Sequence, residues 1–172
     1  MAAAPVRSVL VVCTGNICRS PTGESVLRAK ARARGLERQI RVASAGTHDY
    51  HVGERPDPRS VSHATKRGYD LSSQRAQLVA PEHFHQFDYI LAMDRSHLSY
   101  LKSIAPGDGK ARLGMFLETS RSWKSQDVPD PYYGNAEGFE RVLDMIEEAA
   151  EGWIDVIAAE LDPADFKLAP PR

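Results

Sequence analysis

Cysteine is scarce in this sequence, and long apolar runs are missing. Only two of the 172 residues are cysteines, too few for the disulfide framework of a small secreted protein. Cys13 and Cys18 lie five positions apart, an arrangement that favours reactive thiols in a reducing compartment. The apolar stretch at 9–12 is far too short for a signal peptide or a membrane helix. We therefore expect a cytoplasmic protein without a membrane partner, with export by a non-standard route left open.

An excess of charge of either sign is also missing. Lysine and arginine number 22, aspartate and glutamate number 23, and the formal net charge is −1. Because this balance gives no overall basic field, we expect no nucleic-acid partner. The six histidines have no spacing typical of a metal site, so the sequence predicts neither a metal nor a cofactor. It leaves the oligomeric state open, and a monomer is compatible with it.

What the sequence does contain is an alternation of strand and helix patterns. The β-branched run at 6–12 predicts a buried strand, and Pro21 opens a helix that ends near Gly35. The later predicted elements are a strand over 40–43, a helix over 59–67, a strand over 87–93, a helix over 95–104, a strand over 111–116 and a long amphipathic helix from 136 onward. This order predicts an α/β sandwich around a parallel sheet.

The same patterns set the expected domain organisation. A chain of 172 residues fits one domain, and no repeat or linker divides it. We expect a single domain over 1–172 with a core over about 6–160 and a frayed tail over 162–172. Residues 44–57 and 117–134 have loop composition.

A polar segment between the first strand and the first helix carries the chemistry. It reads CTGNICRSP over 13–21, with a cysteine at the strand end and an arginine six positions later. Its backbone N–H groups and the helix N-terminus can converge on an anion. The same field favours a thiolate, which makes Cys13 a nucleophile near neutral pH. Arg19 offers a planar fork that matches two phosphate oxygens, and Gly15 allows close backbone approach.

Other interpretations account for less of this segment. A structural cysteine or a surface arginine is common alone, but neither explains the joint pattern of strand, cysteine, arginine and helix. The segment lacks the Gly-Lys-Ser/Thr ending of a nucleotide-binding loop. Cys13 and Cys18 have no second ligand pair at zinc-site spacing. The residues alone therefore predict a nucleophile in an anion site.

The sequence resembles the low-molecular-weight protein tyrosine phosphatases at four motifs, in the family's order and approximate spacing. They are CTGNICRSP at 13–21, SAGT at 44–47, MD at 93–94 and DPYYG at 130–134. The resemblance covers about residues 6–160. It implies a three-layer α/β sandwich, in which a four-stranded parallel sheet is flanked by helices and the phosphate loop follows the first strand. The site then lies at the C-terminal ends of the strands, as is general for open α/β sheets.

The resemblance also implies a reaction, the hydrolysis of phosphotyrosine in a protein substrate through a cysteinyl-phosphate intermediate. Cys13 is then the nucleophile, Arg19 the phosphate clamp, and Asp130 the general acid and later the base. An aspartate before proline is common in turns. The catalytic role of Asp130 is therefore inferred only because the Cys13 motif is also present. The implied phosphate-binding residues are Thr14, Gly15, Asn16, Ile17, Cys18, Arg19 and Ser20.

Further residues take expected roles from the same resemblance. The residues expected to line the substrate pocket with aromatic walls are Tyr50, Tyr132 and Tyr133. The residues expected to support the loop are Asn16, Ser20, Ser44 and Asp94. Ser20 is also expected to hydrogen-bond the leaving thiolate, besides its ordinary interpretation as a helix N-cap. His48 and His51 are expected near the rim.

Two features of the sequence have more than one interpretation. Cys18 is either a small buried residue or, as the family resemblance implies, a backup thiol that traps oxidised Cys13 as a disulfide. The stretch LSSQR at 71–75 departs from the family pattern, because many relatives have a histidine there that completes the network around the loop. The sequence leaves open how that part of the network is completed.

Several alternative functions share parts of this pattern. A thioredoxin-coupled arsenate reductase of the same fold needs later cysteines, and none follows Cys18. A protein-arginine phosphatase tends to have threonine before the second loop cysteine and phenylalanine after Asp-Pro, whereas Ile17, Tyr132 and Tyr133 stand here. A general aryl phosphatase would have the same sequence features. A non-catalytic phosphoprotein-binding module is disfavoured by the intact catalytic set. The physiological substrate and the cognate kinase stay open.

Overall fold

A parallel sheet of four strands forms the centre of the computed structural model, which describes residues 5–161. The strands are β1 (Arg7–Cys13), β2 (Ile40–Gly46), β3 (Tyr89–Ala92) and β4 (Arg112–Met115). Their spatial order is β2-β1-β3-β4, and every neighbouring pair is parallel. Because β1 is an inner strand covered on both faces, its residues 9–12 are completely buried, as expected of a continuous apolar run.

Helices cover both faces of the sheet. They are α1 (Arg19–Ala33), α2 (Pro58–Lys66), α3 (His83–Gln86), α4 (Arg95–Ile104) and α5 (Ala136–Leu161), with a 3₁₀ helix over Phe116–Thr119. Side chains of α1, α2 and α5 share one core cluster, and those of α3 and α4 share the other. This arrangement confirms the expected three-layer α/β sandwich. None of the helices within residues 5–161 combines enough length with enough apolar character to span a bilayer.

Alternate residues of β1 divide the core into its two layers. Val9 and Val11 pack on the side of α1 and α5, whereas Leu10 and Val12 pack on the side of α3 and α4. Burying each of these side chains contributes about 1.5–3 kcal/mol relative to leaving it exposed. The strand that ends in Cys13 is therefore fixed from both faces.

The strand register brings three segments to one edge of the sheet. Cys13 at the end of β1 lies opposite Gly46 at the end of β2, and β3 ends beside the same end of β1. A Cβ atom at Gly46 would lie 2.7 Å from the carbonyl oxygen of Thr14. Glycine is therefore required where β2 packs against the loop after β1. Asp94 lies two residues after the end of β3 and is therefore at the same edge.

The elements agree with the sequence-based expectation in kind and differ at their ends. β2 continues through 44–46, expected as loop, because these residues pair with 11–13 of β1. α1 begins at Arg19 rather than Pro21, so Arg19 and Ser20 lie in its first turn. α3 and the 3₁₀ helix were not expected, because each has only four residues and is too short to produce a periodic pattern. The expected frayed tail over 162–172 lies outside the described residues.

Candidate active site

The Cys13 loop (residues 13–20) closes around the junction of β1 and α1. Cys13 is 3% exposed and Arg19 is 4% exposed. The Sγ atom of Cys13 lies 3.0 Å from the Oγ atom of Ser20, in the first turn of α1. Ser20 accepts a hydrogen bond from Asn16 Nδ2 at 2.8 Å. Its own proton is therefore free to be donated to the sulfur, or to the carbonyl of Ala45 at 3.4 Å.

Asn16 holds the loop in a conformation that most residues avoid. Its φ angle is 59°, and it is the non-glycine residue with positive φ among residues 5–161. The side-chain amide donates to Ser20 and, at 2.9 Å, to Ser44 Oγ, and its oxygen accepts from the backbone N–H of Gln77 at 3.0 Å. These three bonds tie the turn to α1, to β2 and to the segment after α2.

A second layer of polar side chains supports Ser44. Ser44 accepts from Asn16 and donates to Glu24 Oε1 at 2.7 Å, and Glu24 is paired with Arg28. Gln74 donates to the Pro21 carbonyl at 2.9 Å and to a serine of α1, and its Oε1 lies 3.4 Å from Ser44 Oγ. Gln74 thus fills the position for which the sequence left the network open. It does so with an amide, which does not titrate.

Arg19 is fixed on one side of the cavity by three partners. Its Nη1 donates to Asp94 Oδ2 at 2.9 Å and to the Val128 carbonyl at 3.0 Å. Its Nη2 donates to Thr14 Oγ1 at 3.3 Å and lies 3.7 Å from Asp130 Oδ2. The guanidinium is therefore oriented by the protein before any anion binds.

Asp94 is ionised to match this arginine. Burial acts to raise its pKa, but hydrogen bonds from Ser96 and Arg19 and the neighbouring His97 outweigh burial and lower the pKa below its ordinary value. Asp94 also caps α4 by accepting from the backbone N–H of His97 at 3.1 Å. One carboxylate thus caps α4 and contacts the arginine of the Cys13 loop.

Asp130 lines the same cavity, in the acid loop (residues 128–134). Its Oδ1 accepts from the backbone N–H of Tyr132 at 3.0 Å, and its side chain is 41% exposed. The acid loop begins beside the sheet, because the Val128 N–H donates to the Met93 carbonyl at 2.9 Å. The carboxylate therefore faces the same space as Cys13 and Arg19.

One cavity of about 220 Å³ joins these groups. Its lining residues are Cys13, Thr14, Gly15, Ile17, Cys18, Arg19, Tyr50, His51, Asp130, Tyr132 and Tyr133. All three tyrosines expected at the pocket are among them. Asn16, Ser20, Ser44 and Asp94, which the sequence assigned to support, lie behind the lining. A Cβ atom at Gly15 would come within 2.9 Å of the His51 ring, so the loop and the rim are in close contact.

Cys18 differs from Cys13 in its surroundings. It packs with Ile17, Ala76 and Phe139 in a small apolar cluster, and its side chain also borders the main cavity. Burial raises its pKa to about 12, and a hydrogen bond with Ser60 opposes this only in part. Cys18 is therefore a protonated thiol near neutral pH.

Several residues around the cavity have no sequence-based assignment. They are Glu24 and Gln74 behind Ser44, His97 behind Thr14, and Arg59 beneath Tyr132. The guanidinium of Arg59 lies 5.3 Å from the Tyr132 ring centroid. It is held by Asp57, whose backbone N–H donates to the Ile17 carbonyl at 2.8 Å. The charged pair thus connects the Cys13 loop to the acid loop, which no local sequence signal reveals.

A model of the family described as low molecular weight phosphotyrosine protein phosphatase matches residues 8–163. The chain belongs to this family. A low molecular weight protein-tyrosine-phosphatase of Streptomyces coelicolor is 38% identical over 157 residues, which are 90% of this chain and 95% of that protein.

Solved structures of phosphatases have the same fold. A protein tyrosine phosphatase from Entamoeba histolytica superposes with a TM-score of 0.86 at 35% identity, covering 90% of this chain and 98% of that one. A Drosophila arginine phosphatase superposes with a TM-score of 0.80 at 27% identity, covering 87% and 96% respectively. The low molecular weight phosphatase fold is thus shared by proteins named for different phosphorylated side chains.

Proposed function

We propose that this protein is a protein tyrosine phosphatase that hydrolyses phosphotyrosine through a cysteinyl-phosphate intermediate. The observation that carries the proposal is the convergence of three groups on one cavity: Cys13, Arg19 and Asp130. The separation of 3.7 Å between Arg19 Nη2 and Asp130 Oδ2 leaves the clamp and the acid beside the same reacting group. Family membership supports the same reaction.

In the first step, the Cys13 thiolate attacks phosphorus and the bond to the phenolic oxygen breaks. Asp130 donates its proton to that oxygen, so tyrosine leaves as a neutral phenol. Arg19 donates to the phosphoryl oxygens, where its fixed fork stabilises the charge of the transition state. The products of this step are a cysteinyl phosphate, a free tyrosine side chain and ionised Asp130.

In the second step, Asp130 accepts a proton from a water molecule, whose oxygen attacks phosphorus. The sulfur–phosphorus bond breaks, and Cys13 leaves as a thiolate with inorganic phosphate as product. Ser20 supports this departure, because its hydroxyl lies 3.0 Å from Sγ and can donate to the developing negative charge. The enzyme then returns to its starting protonation state.

The pocket rim favours an aromatic leaving group. Tyr50, Tyr132 and Tyr133 surround the entrance, and their rings provide flat surfaces for stacking on a substrate phenol. A phosphoserine side chain is shorter and has no ring to stack. General aryl phosphates would also fit this rim. Phosphoarginine is long enough to reach the loop and is therefore included among the test substrates.

The proposed partner is a phosphotyrosine-containing protein, and the proposed compartment is the cytoplasm. Both cysteines are free thiols in the described chain, and the reaction requires Cys13 to remain reduced. A reducing compartment maintains that state. Fractionation of cells that express the full chain would test the location, and recovery only outside the cytoplasm would contradict it.

Hydrolysis of matched peptides tests the proposed function. The peptides carry phosphotyrosine, phosphoserine or phosphoarginine at one position, and the enzymes are wild type, Cys13→Ser and Asp130→Ala. We expect turnover of the phosphotyrosine peptide by wild type, none by Cys13→Ser, and a drop of about 10²–10⁴-fold for Asp130→Ala. Undiminished turnover by Cys13→Ser would exclude the mechanism. Faster hydrolysis of the phosphoarginine peptide than of the phosphotyrosine peptide would identify phosphoarginine as the substrate class instead.

A further inference from the structure

His97 lies behind the Cys13 loop in the first turn of α4 and is 2% exposed. Its Nε2 atom is 2.8 Å from Thr14 Oγ1. Thr14 lines the cavity, whereas His97 does not. Through this contact a fully buried imidazole reaches the anion site by way of one hydroxyl group.

The hydrogen bonds around the ring determine which nitrogen carries the proton. The backbone N–H of Asp94 donates to Nδ1 at 3.2 Å, so Nδ1 is an acceptor. Asp94 Oδ1 also lies 3.2 Å from Nδ1, but that pair does not form a hydrogen bond, and Oδ1 already accepts from Ser96 and from the backbone N–H of His97. The backbone N–H of His97 donates in return to Asp94 Oδ1, which completes a capping box. A neutral imidazole carries a single N–H, which must then be on Nε2 and be donated to Thr14. Burial, followed by the charge of Arg19, lowers the pKa of His97 to about 4, which keeps the ring neutral near pH 7.

Thr14 therefore accepts two hydrogen bonds, one from His97 and one from Arg19 Nη2 at 3.3 Å. A hydroxyl oxygen has two lone pairs, and both are occupied. The hydroxyl proton of Thr14 must then be donated to a third group, and the open side of Thr14 is the cavity. We propose that His97 is a positioning residue that holds the Thr14 hydroxyl as a hydrogen-bond donor to the bound phosphoryl group.

The proposal rests on the proposed function only in naming a phosphoryl group as the anion. Binding of inorganic phosphate, measured by calorimetry near neutral pH, tests it without any turnover. Thr14→Val removes the hydroxyl and keeps the shape, and Thr14→Ser keeps the hydroxyl. We expect phosphate to bind about tenfold or more weakly to Thr14→Val, as for a lost hydrogen bond to a charged group, and nearly normally to Thr14→Ser.

Two substitutions of His97 separate its contact with Thr14 from its helix cap. In His97→Asn, the amide oxygen is as many bonds from the backbone as Nδ1, so it can still accept from Asp94, but it is too short to reach Thr14. In His97→Gln, the longer amide can donate to Thr14. We expect His97→Asn to weaken phosphate binding by about three- to tenfold and His97→Gln to restore it. Ser99→Ala, an exposed change on the same helix, serves as the control without effect.

The double variant of Thr14→Val and His97→Asn decides whether the two residues act together. If His97 acts through the hydroxyl, the double variant binds phosphate no more weakly than Thr14→Val alone. Additive losses would overturn the proposal, because they would assign to His97 only a general structural role. Tighter phosphate binding by His97→Asn would also overturn it, since His97 would then be withdrawing the hydroxyl proton. Phosphate binding without hydrolysis of phosphotyrosine would refute the proposed function and leave this proposal intact.

Discussion

The Cys13 loop and the acid loop face each other across one cavity, but they are built in opposite ways. In the Cys13 loop, Cys13 and Arg19 are nearly buried, and the side chains of Asn16, Ser20 and Arg19 all bond to other parts of the protein. In the acid loop, the Asp130 side chain is 41% exposed and Tyr133 is 90% exposed. The Cys13 loop is thus the buried half of the site and is already assembled before substrate binds. The acid loop is the exposed half, and its side chains are accessible to the substrate.

This difference matches the chemistry proposed for each half. Stabilising charge on a phosphoryl group is most effective when the donors are already oriented, because no reorganisation is needed as the reaction proceeds. Stacking on a leaving group and exchanging protons with water require access from outside. Substitutions in the buried half should therefore change both activity and stability, whereas those in the exposed half should change activity with little effect on stability.

Among the substitutions that compare the two halves, the largest effect is expected from Arg19→Lys. Lysine keeps the charge but cannot hold Asp94, the Val128 carbonyl and a phosphoryl group together as the planar fork does. We expect kcat/KM for a phosphotyrosine peptide to fall by about 10²–10³-fold, with a lower melting temperature. Arg95→Lys is the matched control, because its side chain is 74% exposed and pairs with Asp127 outside the cavity. Equal losses in the two variants would contradict the preassembled clamp.

Asn16 offers a test of how the buried half is held in shape. Asn16→Ala removes three side-chain hydrogen bonds and leaves alanine at a φ of 59°. We expect it to lower the free energy of unfolding by about 2–4 kcal/mol, measured by urea denaturation. Asn16→Gly loses the same bonds without backbone strain, so it should be about 1 kcal/mol less destabilised. If Asn16→Gly and Asn16→Ala lower the free energy of unfolding equally, the positive φ angle of residue 16 does not strain the backbone.

The sequence predicted the buried half of the site better than the layer behind it. Cys13 and Arg19 stand in one short segment, so their spacing, with a strand before and a helix after, was enough to predict an anion site. Residues 44–46 were expected as loop because the segment 44–57 is rich in glycine, proline, histidine and aspartate, yet pairing with β1 makes them strand. Tertiary contacts decided that outcome.

The supporting residues without a sequence-based assignment were harder to predict for a related reason. His97 reads as an ordinary residue in the first turn of a helix, and its contact with Thr14 joins positions 83 residues apart. That contact exists because β1 and β3 end side by side. Gln74 is likewise separated from Ser44 by 30 positions. Local patterns carry no information about such pairs, which only the assembled sheet brings together.

His97 should make the stability of the buried half depend on pH. Its folded-state pKa of about 4 lies below the ordinary value of 6.5, because burial and Arg19 disfavour the charged ring despite Asp94, Asp127 and Asp130 nearby. The unfolded chain therefore binds a proton more readily between these values. Its contribution to stability is complete above pH 6.5 and is lost as pH falls toward 4.

Urea denaturation at several pH values measures this contribution. His97→Asn, which does not titrate, is the reference for all other groups, including Asp94. The difference in unfolding free energy between wild type and His97→Asn should become less favourable to wild type as pH falls from 6.5 to about 4. A difference that does not change with pH would mean that the ring is as easily protonated in the folded protein as in the unfolded chain.

The smallest effect on stability is expected from Tyr133→Ala in the exposed half. Tyr133 is 90% exposed and makes an edge-to-face contact with Tyr132, with ring centroids 4.9 Å apart. We expect the free energy of unfolding to change by less than about 0.5 kcal/mol. The KM for a phosphotyrosine peptide should rise by about two- to tenfold, since one stacking surface is lost. The control is Tyr100→Ala, which changes an exposed tyrosine on α4 that does not line the cavity and should leave KM unchanged. A loss of stability without a change in KM would instead place Tyr133 with the buried half, as a group that supports the fold rather than the substrate.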